Sequence, residues 1–452
     1  LTSGKDSASP LKKDVVLGFF SSDQLATNPA KFRAKGSGSF TFTSGGSLYK
    51  SNAATDISNM TGELGSTGGG DVNFGNSTEA TWPIFDERLS FHSEKVNGSP
   101  IYFKAPSTKE VTIPGRISGN GTYGFYGKLT LLDINTEGAW WQVRDNADLK
   151  VAGGRATIGG YGLYMYTGST LTVSNGAYVG AADRKPTYGF EGNVLKQDYG
   201  FDFNSGRANG KMVITDGGRI VCKVPTTNLE VRDGGVLETQ NNPENAAGTW
   251  LFDGGSLNLN MAESAFNFTV LPTASGFHLV VGPKGMTIRC LAKTALHSGG
   301  SMQCYFGSAF ESSETGDGGV TRLGCGFFDF WKPMTIRGTF ANLDGTLRIP
   351  NKADITDATV PLFGTGDFRL GNSRIEYHGD ITKAFTARFG TGGKFIYDGA
   401  AVIRVRESAN RPVQTLALGK LTRGGAGAAL YFWDNTDGKT YNESGANVTF
   451  TE

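Results

Sequence analysis

A short unit recurs along the chain: an alternating, strand-like segment of the form Leu-x-Val, followed directly by a turn centred on glycine. Five copies end in the turns Gly153-Gly154, Asn175-Gly176, Asp216-Gly217-Gly218, Asp233-Gly234-Gly235 and Asp253-Gly254-Gly255. The first residues of these turns are 22, 41, 17 and 20 positions apart. We read the gap of 41 as two units, so the sequence predicts a repeat with a period of about 20 residues.

The local chemistry of this unit predicts strands and turns rather than helices. Apolar and polar residues alternate with a period of two, which is the pattern of a strand with one buried face. Asn-Gly and Asp-Gly pairs supply the positive φ angles that sharp turns require. Helical patterning is nearly absent, and only residues 21–34 and 291–297 favour a turn or two of helix.

Three all-β architectures combine repeats with glycine turns: propellers, strings of sandwiches, and solenoids. Propeller blades repeat about every 40 to 50 residues, and sandwiches bring linkers about every 100 residues. The sequence shows neither pattern. It therefore predicts an all-β, right-handed parallel β-helix, or β-solenoid, in which each rung buries its apolar face by stacking on its neighbours.

The predicted β-helix occupies most of the chain. We assign residues 1–35 to an N-terminal extension or cap, 36–430 to the β-solenoid and 431–452 to a C-terminal strand or cap. An apolar segment in the extension either caps the first rung or adds as a strand to a neighbouring molecule. The candidate self-association residues in this segment are Val15, Val16, Leu17, Phe19 and Phe20.

The charge and hydropathy of the chain argue against two kinds of partner. Lys and Arg number 43 against 42 Asp and Glu, for a net charge of +1, so the basic excess of a nucleic-acid-binding protein is absent. No run of about 18 apolar residues occurs. We therefore expect no nucleic acid partner and no transmembrane segment.

The repeat also carries a family resemblance. The stretch Leu-Thr-Val-Ser-Asn-Gly-Ala at residues 171–177, together with the Asp-Gly-Gly turns, resembles the repeats of bacterial autotransporter passengers and related secreted β-helix surface proteins. The resemblance implies an extracellular or cell-surface location and a structural or adhesive role without catalysis. The expected partners are further copies of the chain, in a homo-oligomer or filament, or cell-surface glycans.

The alternative function is a β-helix that binds or degrades polysaccharide, including one like a phage tailspike. Such an enzyme needs several carboxylates converging on one face. One motif of this kind is present, Asn435-Thr436-Asp437, but His378-Gly379 lies upstream of it and lacks the glycine that would complete a Gly-His-Gly motif. We interpret Asn435-Thr436-Asp437 as a simple Asx turn and expect no catalytic residue.

Two groups of acidic residues raise the question of calcium. Glu311, Glu314 and Asp317 form the densest acidic run, which we interpret as a solvated loop because the repeat of calcium-binding rolls is absent. Asp216, Asp233 and Asp253 occupy equivalent turn positions. If their rungs are adjacent, either each carboxylate accepts N–H bonds from its own turn or a cation bridges them. We expect no cofactor, with Ca²⁺ as the alternative.

A group of aromatic residues is a candidate platform for sugar rings. Tyr161, Tyr164 and Tyr166 lie close together, and Trp140 and Trp141 precede them. Because alternate residues of a strand point to opposite faces, about half of these side chains are expected in the core and the others on the surface.

The four cysteines, Cys222, Cys290, Cys304 and Cys325, contain no Cys-x-x-Cys pair, so a zinc site is not predicted. Cys304 and Cys325 are 21 residues apart, one period of the repeat. They are predicted at equivalent positions on adjacent rungs, either as a disulfide or as buried thiols. A link between Cys290 and Cys304 is the competing pairing.

Seven Asn-x-Ser/Thr sequons are potential glycosylation sites if the chain is made by a eukaryote. They begin at Asn59, Asn76, Asn97, Asn120, Asn267, Asn442 and Asn447.

Overall fold

The computed structural model describes most of the chain between residues 101 and 434 and several strands before it. The described residues are 16–19, 39–42, 46–50, 62–66, 70–73, 89–93, 101–105, 110–181, 190–191, 194–195, 203–208, 210–222, 228–239, 248–261, 267–270, 277–292, 303–324, 326–377, 386–390, 392–405 and 415–434. The chain divides into two compact units: unit 1 is Leu1–Tyr188 with Asp198–Thr227, and unit 2 is Gly189–Gln197 with Asn228–Glu452.

The strands are short. The first half of the chain contains β1 Val16–Phe19, β2 Ser39–Phe42, β3 Gly46–Lys50, β4 Gly62–Ser66, β5 Gly70–Asn73, β6 Leu89–Ser93, β7 Ile101–Lys104, β8 Glu110–Ile113, β9 Ile117–Gly119, β10 Thr122–Tyr126, β11 Lys128–Leu131, β12 Ile134–Val143, β13 Asp148–Val151, β14 Gly154–Met165, β15 Thr170–Val173, β16 Tyr178–Ala181, β17 Phe190–Glu191, β18 Val194–Leu195, β19 Phe203–Ala208, β20 Lys211–Ile214 and β21 Arg219–Cys222.

The second half contains β22 Asn228–Arg232, β23 Val236–Thr239, β24 Thr249–Asp253, β25 Gly255–Met261, β26 Asn267–Val270, β27 His278–Val281, β28 Met286–Ala292, β29 Gln303–Phe306, β30 Phe310–Ser312, β31 Val320–Gly324, β32 Phe327–Phe330, β33 Phe340–Asn342, β34 Thr346–Ile349, β35 Phe368–Leu370, β36 Arg374–Tyr377, β37 Thr386–Arg388, β38 Lys394–Tyr397, β39 Ala400–Val405, β40 Thr415–Ala417, β41 Lys420–Arg423 and β42 Ala429–Asp434. A helix, α1 Ala353–Thr356, interrupts them. Sequence patterning did not predict it.

Unit 1 has three parallel sheets, which successive strands visit in turn. Sheet 1 runs β1-β3-β5-β7-β10-β12-β14-β19. Sheet 2 runs β8-β11-β13-β15-β20. Sheet 3 runs β2-β4-β6-β9-β12-β14-β16-β21. The long strands β12 and β14 belong to sheet 3 at their beginning and to sheet 1 at their end, so one coil leads directly into the next.

Unit 2 repeats this arrangement. Sheet 4 runs β22-β24-β27-β30, and β37 pairs with β40 in the same parallel manner. Sheet 5 runs β23-β25-β28-β31-β33-β35-β38-β41. Sheet 6 runs β26-β29-β32-β34-β36-β39-β42. The prediction of a parallel β-helix is confirmed.

Stacking of equivalent apolar residues forms the core of each unit. In sheet 2, Leu129, Leu149, Leu171 and Met212 pair in register, and all are at most 1% exposed. No single coil can bury these side chains alone, so each coil is stabilised by the coil above and below it. The Leu-x-Val pattern is therefore the inward face of a sheet.

The predicted period holds only in part. Leu171 pairs directly with Met212, so the gap of 41 residues is one lengthened coil, and reading it as two units was wrong. In unit 2, Val236 pairs with Ser256 but Met286 pairs with Val320, offsets of 20 and 34 residues. Coil length varies because added residues lie between the strands and leave the register unchanged.

Two segments expected to differ from the repeat contain strand. β1 lies within the predicted extension 1–35 and pairs with β3, Val16 opposite Ser47. Val15 and Phe20 are outside the described residues. Of the predicted helical segments, 291–292 belong to β28, while 293–297 and 21–34 are outside the described residues. Among the described helices, none is long and apolar enough to cross a membrane.

Candidate functional site

Three of the glycine turns have the predicted positive φ at their Asn or Asp residue, whereas in the Asp253 turn it is Gly254 that has the positive φ, 81°. Asn175, Asp216 and Asp233 have φ angles of 52°, 48° and 45°. In unit 2, the backbone N–H of Asp233 donates to the carbonyl oxygen of Asp253 at 3.1 Å, so these two turns lie on adjacent coils as expected. In unit 1, Asp216 lies next to the Asn175 turn, where its carbonyl oxygen accepts from the Gly176 N–H at 3.2 Å.

A lysine supplies the positive charge that stacked carboxylates need. The Lys284 ammonium group pairs with the Asp233 carboxylate, and the Lys284 backbone N–H donates to Oδ1 of Asp253 at 2.8 Å. The hydrogen bond with Asp233 raises the pKa of Lys284 above its usual value. The arrangement differs from the first alternative considered for these turns, because the Asp253 carboxylate accepts from the N–H of Lys284 and not from an N–H of its own turn. The Asp233 carboxylate pairs with a lysine side chain, and a bridging Ca²⁺ stays a prediction.

Two residues of the acidic run, Glu311 and Asp317, each pair with a basic side chain. Glu311 lies 3.4 Å from His278, and Asp317 accepts a 2.7 Å bond from Arg337. Within the described ranges, no three His, Cys, Asp or Glu side chains approach closely enough to hold a metal ion. The motif residues His378 and 435–437 lie outside the described residues.

The aromatic residues near β12 and β14 divide between core and surface as alternation predicts. Trp141 is fully buried, packing edge-on against Phe125 with ring centroids 5.4 Å apart. Trp140, Tyr164 and Tyr166 are half-buried and lie on the opposite, outward face. The side chain of Tyr161 is outside the described residues.

The outward tyrosines belong to a larger set that spans four consecutive strands of sheet 1. We call this set the aromatic–cationic face and define it as Tyr102, Lys104, Tyr126, Arg144, Tyr164 and Tyr166. Tyr126 is the register partner of Lys104, and Gln142 is that of Tyr164. The Arg144 N–H donates to Phe125 and the Tyr166 N–H donates to Val143, at 3.0 and 2.9 Å. These bonds continue the same register, so the residues line up across the coils.

A missing side chain allows the first tyrosine of the face to lie flat on the sheet. A Cβ atom built on Gly124 would lie 2.3 Å from Cδ1 of Tyr102, so Tyr102 occupies the space that any larger residue would need. The Tyr102 and Tyr126 rings are 5.6 Å apart. The Lys104 ammonium nitrogen lies 5.7 and 5.6 Å from their centroids, within the range of a cation–π contact.

Arg144 is held between two tyrosine rings. Its guanidinium carbon lies 5.4 Å from the Tyr126 centroid and 4.2 Å from the Tyr166 centroid. Its Nη1 donates to Oε1 of Gln142 at 3.0 Å and to the Tyr166 hydroxyl at 2.8 Å. Across the described residues no carboxylate pairs with Arg144, and its buried Nε has no hydrogen-bond partner. The face thus holds an oriented guanidinium whose charge is not neutralised by an acid.

Sequence reasoning found Tyr164 and Tyr166 but missed Tyr102, Lys104, Tyr126 and Arg144. A sequence signal for this face does exist: on each of the four strands, the second of two outward residues that are two positions apart is a tyrosine, a lysine or an arginine. The signal can be recognised only when the strands are aligned so that Tyr126 lies opposite Lys104 on one side and opposite Arg144 on the other. That alignment depends on coil lengths, which the sequence does not state.

Unit 2 has a groove with different electrostatics. It encloses about 420 Å³ and is lined by small residues, including Thr287 and Thr321, with Lys284 and Arg369 at its sides. Lys284 is paired with Asp233 and Arg369 with Asp398. Both cations of this groove already have carboxylate partners, unlike Arg144.

The predicted equivalence of Cys304 and Cys325 on adjacent rungs is wrong, so a disulfide between them loses its geometric basis and stays only a prediction. The register partner of Cys304 on the next coil is Phe328, and Cys325 is outside the described residues. Cys222 and Cys290 are buried, and burial raises the pKa of the Cys222 thiol.

Of the sequons, Asn120 is exposed in the turn after β9, and Asn267 begins β26. The other five, Asn59, Asn76, Asn97, Asn442 and Asn447, lie outside the described residues.

No protein-family model matches the chain, and no curated protein or solved structure matches it either. Its class is therefore defined by its own features, a parallel β-helix that carries an outward aromatic–cationic face.

Proposed function

We propose that this chain is an extracellular or cell-surface β-helix with an adhesive, non-catalytic role, and that the aromatic–cationic face is its binding surface. One observation carries the proposal: four consecutive strands of sheet 1 direct tyrosine rings and cations outward in a continuous row. Tyrosine and arginine are among the residues enriched in protein–protein binding surfaces.

The fold itself does not require these side chains. On sheet 2 of the same coils, the outward positions of one row are Thr130, Lys150, Thr172 and Val213. Thr130 is buried, Thr172 and Val213 are half-buried and Lys150 is exposed, and none of the four is aromatic. Because the stacking of coils does not require large outward rings, we attribute their concentration on sheet 1 to ligand binding.

The chemistry of the face suits a saccharide. A tyrosine ring has a negative π face that attracts polarised C–H groups, and its hydroxyl both donates and accepts hydrogen bonds. Sugar rings present apolar C–H surfaces flanked by hydroxyls, which match this combination. The half-buried Tyr164 and Tyr166, with Gln142 beside them, offer both kinds of contact.

The proposal also includes self-association through the apolar segment that contains β1, which was inferred from the sequence. β1 supplies a strand of sheet 1 whose described pairing is with β3. Strand addition to such an edge is a general route to assembly. Imaging of the purified chain tests it, because filaments or oligomers are expected and isolated monomers at all concentrations would contradict it.

Adhesion is tested by measuring binding of the full chain to a panel of immobilised polysaccharides. Tyr126→Ala and Tyr166→Ala are each expected to weaken binding about tenfold, the equivalent of about 1.4 kcal/mol. Tyr178→Ala is the matched control, because Tyr178 stacks under Arg155 at 4.0 Å on sheet 3. Equal effects of all three substitutions, or binding to no polysaccharide, would contradict the proposal.

A further inference from the structure

We infer that the aromatic–cationic face selects acidic saccharides and that Arg144 is the residue that binds their negative group. This inference rests on the proposed function, since it names the ligand class of the same surface. The shared chemistry is an oxyanion on a sugar ring, supplied either by the carboxylate of a uronic acid or by a sulfate ester.

The first argument is the unmet charge of Arg144. A guanidinium carries five N–H donors and is always charged. In the part of the molecule that the structure describes, its donors reach only Gln142 and Tyr166, both through Nη1. The second terminal nitrogen is left to bond an acceptor from outside, and an oxyanion would neutralise the charge as well.

The second argument is preorganisation. The Tyr126 and Tyr166 rings hold the guanidinium on both sides, and Gln142 fixes its rotation. A side chain already fixed in one geometry loses little conformational entropy on binding. Stacking on the tyrosine face leaves Nη2 at the edge of the guanidinium, and its two N–H groups can donate to a carboxylate or sulfate oxygen.

The third argument is the charge pattern along the row. Lys104 and Arg144 lie two strands apart at equivalent positions, so their Cα atoms are separated by about 10 Å in a sheet with strands about 4.8 Å apart. Beyond Lys104 the register partner is Asn73, and beside it Asp71 is opposite Tyr102. Two cations therefore lie in one row of the face, and an extended polyanionic chain that crosses the coils along this row would contact both.

The experiment compares three immobilised probes: polygalacturonate, which carries carboxylates, dextran sulfate, which carries sulfates, and neutral dextran. Wild-type protein is expected to bind at least one acidic probe at least tenfold more tightly than dextran, and the better probe identifies the oxyanion. Added salt should weaken binding to the acidic probes only, because screening acts on charge. Equal affinity for all three probes would overturn the inference.

The residue assignment is tested with Arg144→Met and with Arg155→Met as the matched control. Both remove an arginine stacked on tyrosine, at 4.2 Å and 4.0 Å. Because Arg144 is half-buried and contacts a second ring while Arg155 is exposed, urea unfolding of both variants separates a loss of packing from the loss of the charge. Only Arg144→Met is expected to lower affinity for the acidic probe about tenfold, without changing weak binding to dextran. Equal losses from both variants would overturn the role of Arg144. If Arg144→Met does not fold, Arg144→Lys replaces it, with the expectation of a smaller loss confined to the acidic probe.

The two proposals fail in different ways. If dextran binds as tightly as the acidic probes and Tyr166→Ala still weakens it, adhesion stands and the acidic preference is wrong. If no probe binds, or if an acidic protein partner binds through this face while the polysaccharides do not, the acidic-saccharide inference is wrong.

Discussion

Asp329 and Arg348 form a two-pronged ion pair on neighbouring coils of unit 2, with Nε–Oδ1 and Nη2–Oδ2 distances of 2.8 Å each. Their side chains are only 2% and 9% exposed. The pair continues in register to Glu376 and Arg404, and Arg404 approaches Glu376 at 3.4 Å. Negative and positive side chains thus alternate from coil to coil along sheet 6. A pairing that skipped one coil would place two side chains of like charge opposite each other.

We expect Asp329→Asn to destabilise unit 2 by about 3–5 kcal/mol, because it leaves Arg348 buried without its two-pronged counterion. The control is Asp133→Asn, which breaks the exposed Arg116–Asp133 pair and should cost less than about 1 kcal/mol. Urea unfolding followed by circular dichroism measures both. Equal losses would mean that the row of charges contributes no more than a surface pair.

The positive φ of Asp216 gives a second prediction. At a φ of 48°, a side chain with a branched Cβ is strained, whereas glycine adopts this conformation readily. Asp216→Gly should leave the unfolding temperature unchanged or raise it, while Asp216→Val should cost about 1–2 kcal/mol. Thr172→Val, on a solvent-facing strand position, is the control for the added valine. Equal stability of the two Asp216 variants would contradict the strain argument.

The sequence predicts features that depend on neighbours along the chain. Alternation within a strand separates Trp141 from Trp140, and Asn-Gly and Asp-Gly pairs announce turns such as those at Asn175 and Asp216. Both depend on local geometry, the pleat of a strand and the freedom of φ. The all-β class and the parallel stacking follow from them.

Features that depend on register between coils could not be predicted. Leu171 pairs with Met212 because both side chains are buried in the core, and the length of chain between them does not determine this pairing. Arg144 meets Tyr126 and Tyr166 for the same reason. A period measured from turns averages over coils of unequal length, so it gives the architecture but not the neighbours of a given side chain.

Lys284 gives a prediction about calcium. Because its ammonium group pairs with Asp233 and its backbone N–H bonds Asp253, we predict that these stacked turns fold without a metal. Removal of divalent cations with EDTA should leave the unfolding temperature of the wild-type chain unchanged. In Lys284→Met the two carboxylates lose this cation, so added Ca²⁺ should stabilise the variant more than the wild type. A lower unfolding temperature of the wild type in EDTA would contradict this expectation.

The same pair sets a pH dependence. Since the hydrogen bond with Asp233 raises the pKa of Lys284 in the folded state, its contribution to stability is fully present below the usual lysine pKa of about 10.4 and disappears as pH rises through the folded value. The difference in unfolding temperature between wild type and Lys284→Met should therefore be constant near neutral pH and shrink in strong alkali. The effect is small, because the pair is exposed.

The cysteines give the last prediction. Cys222 is fully buried at the end of β21, and the loss of water around it raises the pKa of its thiol. Since only the thiolate is nucleophilic, iodoacetamide at pH 8 should leave Cys222 unmodified in the folded chain and modify it after unfolding in urea. Mass mapping of the non-reduced digest reads this residue and the predicted Cys304–Cys325 link in one experiment. Rapid alkylation of Cys222 in the folded chain would contradict its burial in unit 1. Two free thiols at Cys304 and Cys325, or a Cys290–Cys304 link, would remove the predicted disulfide.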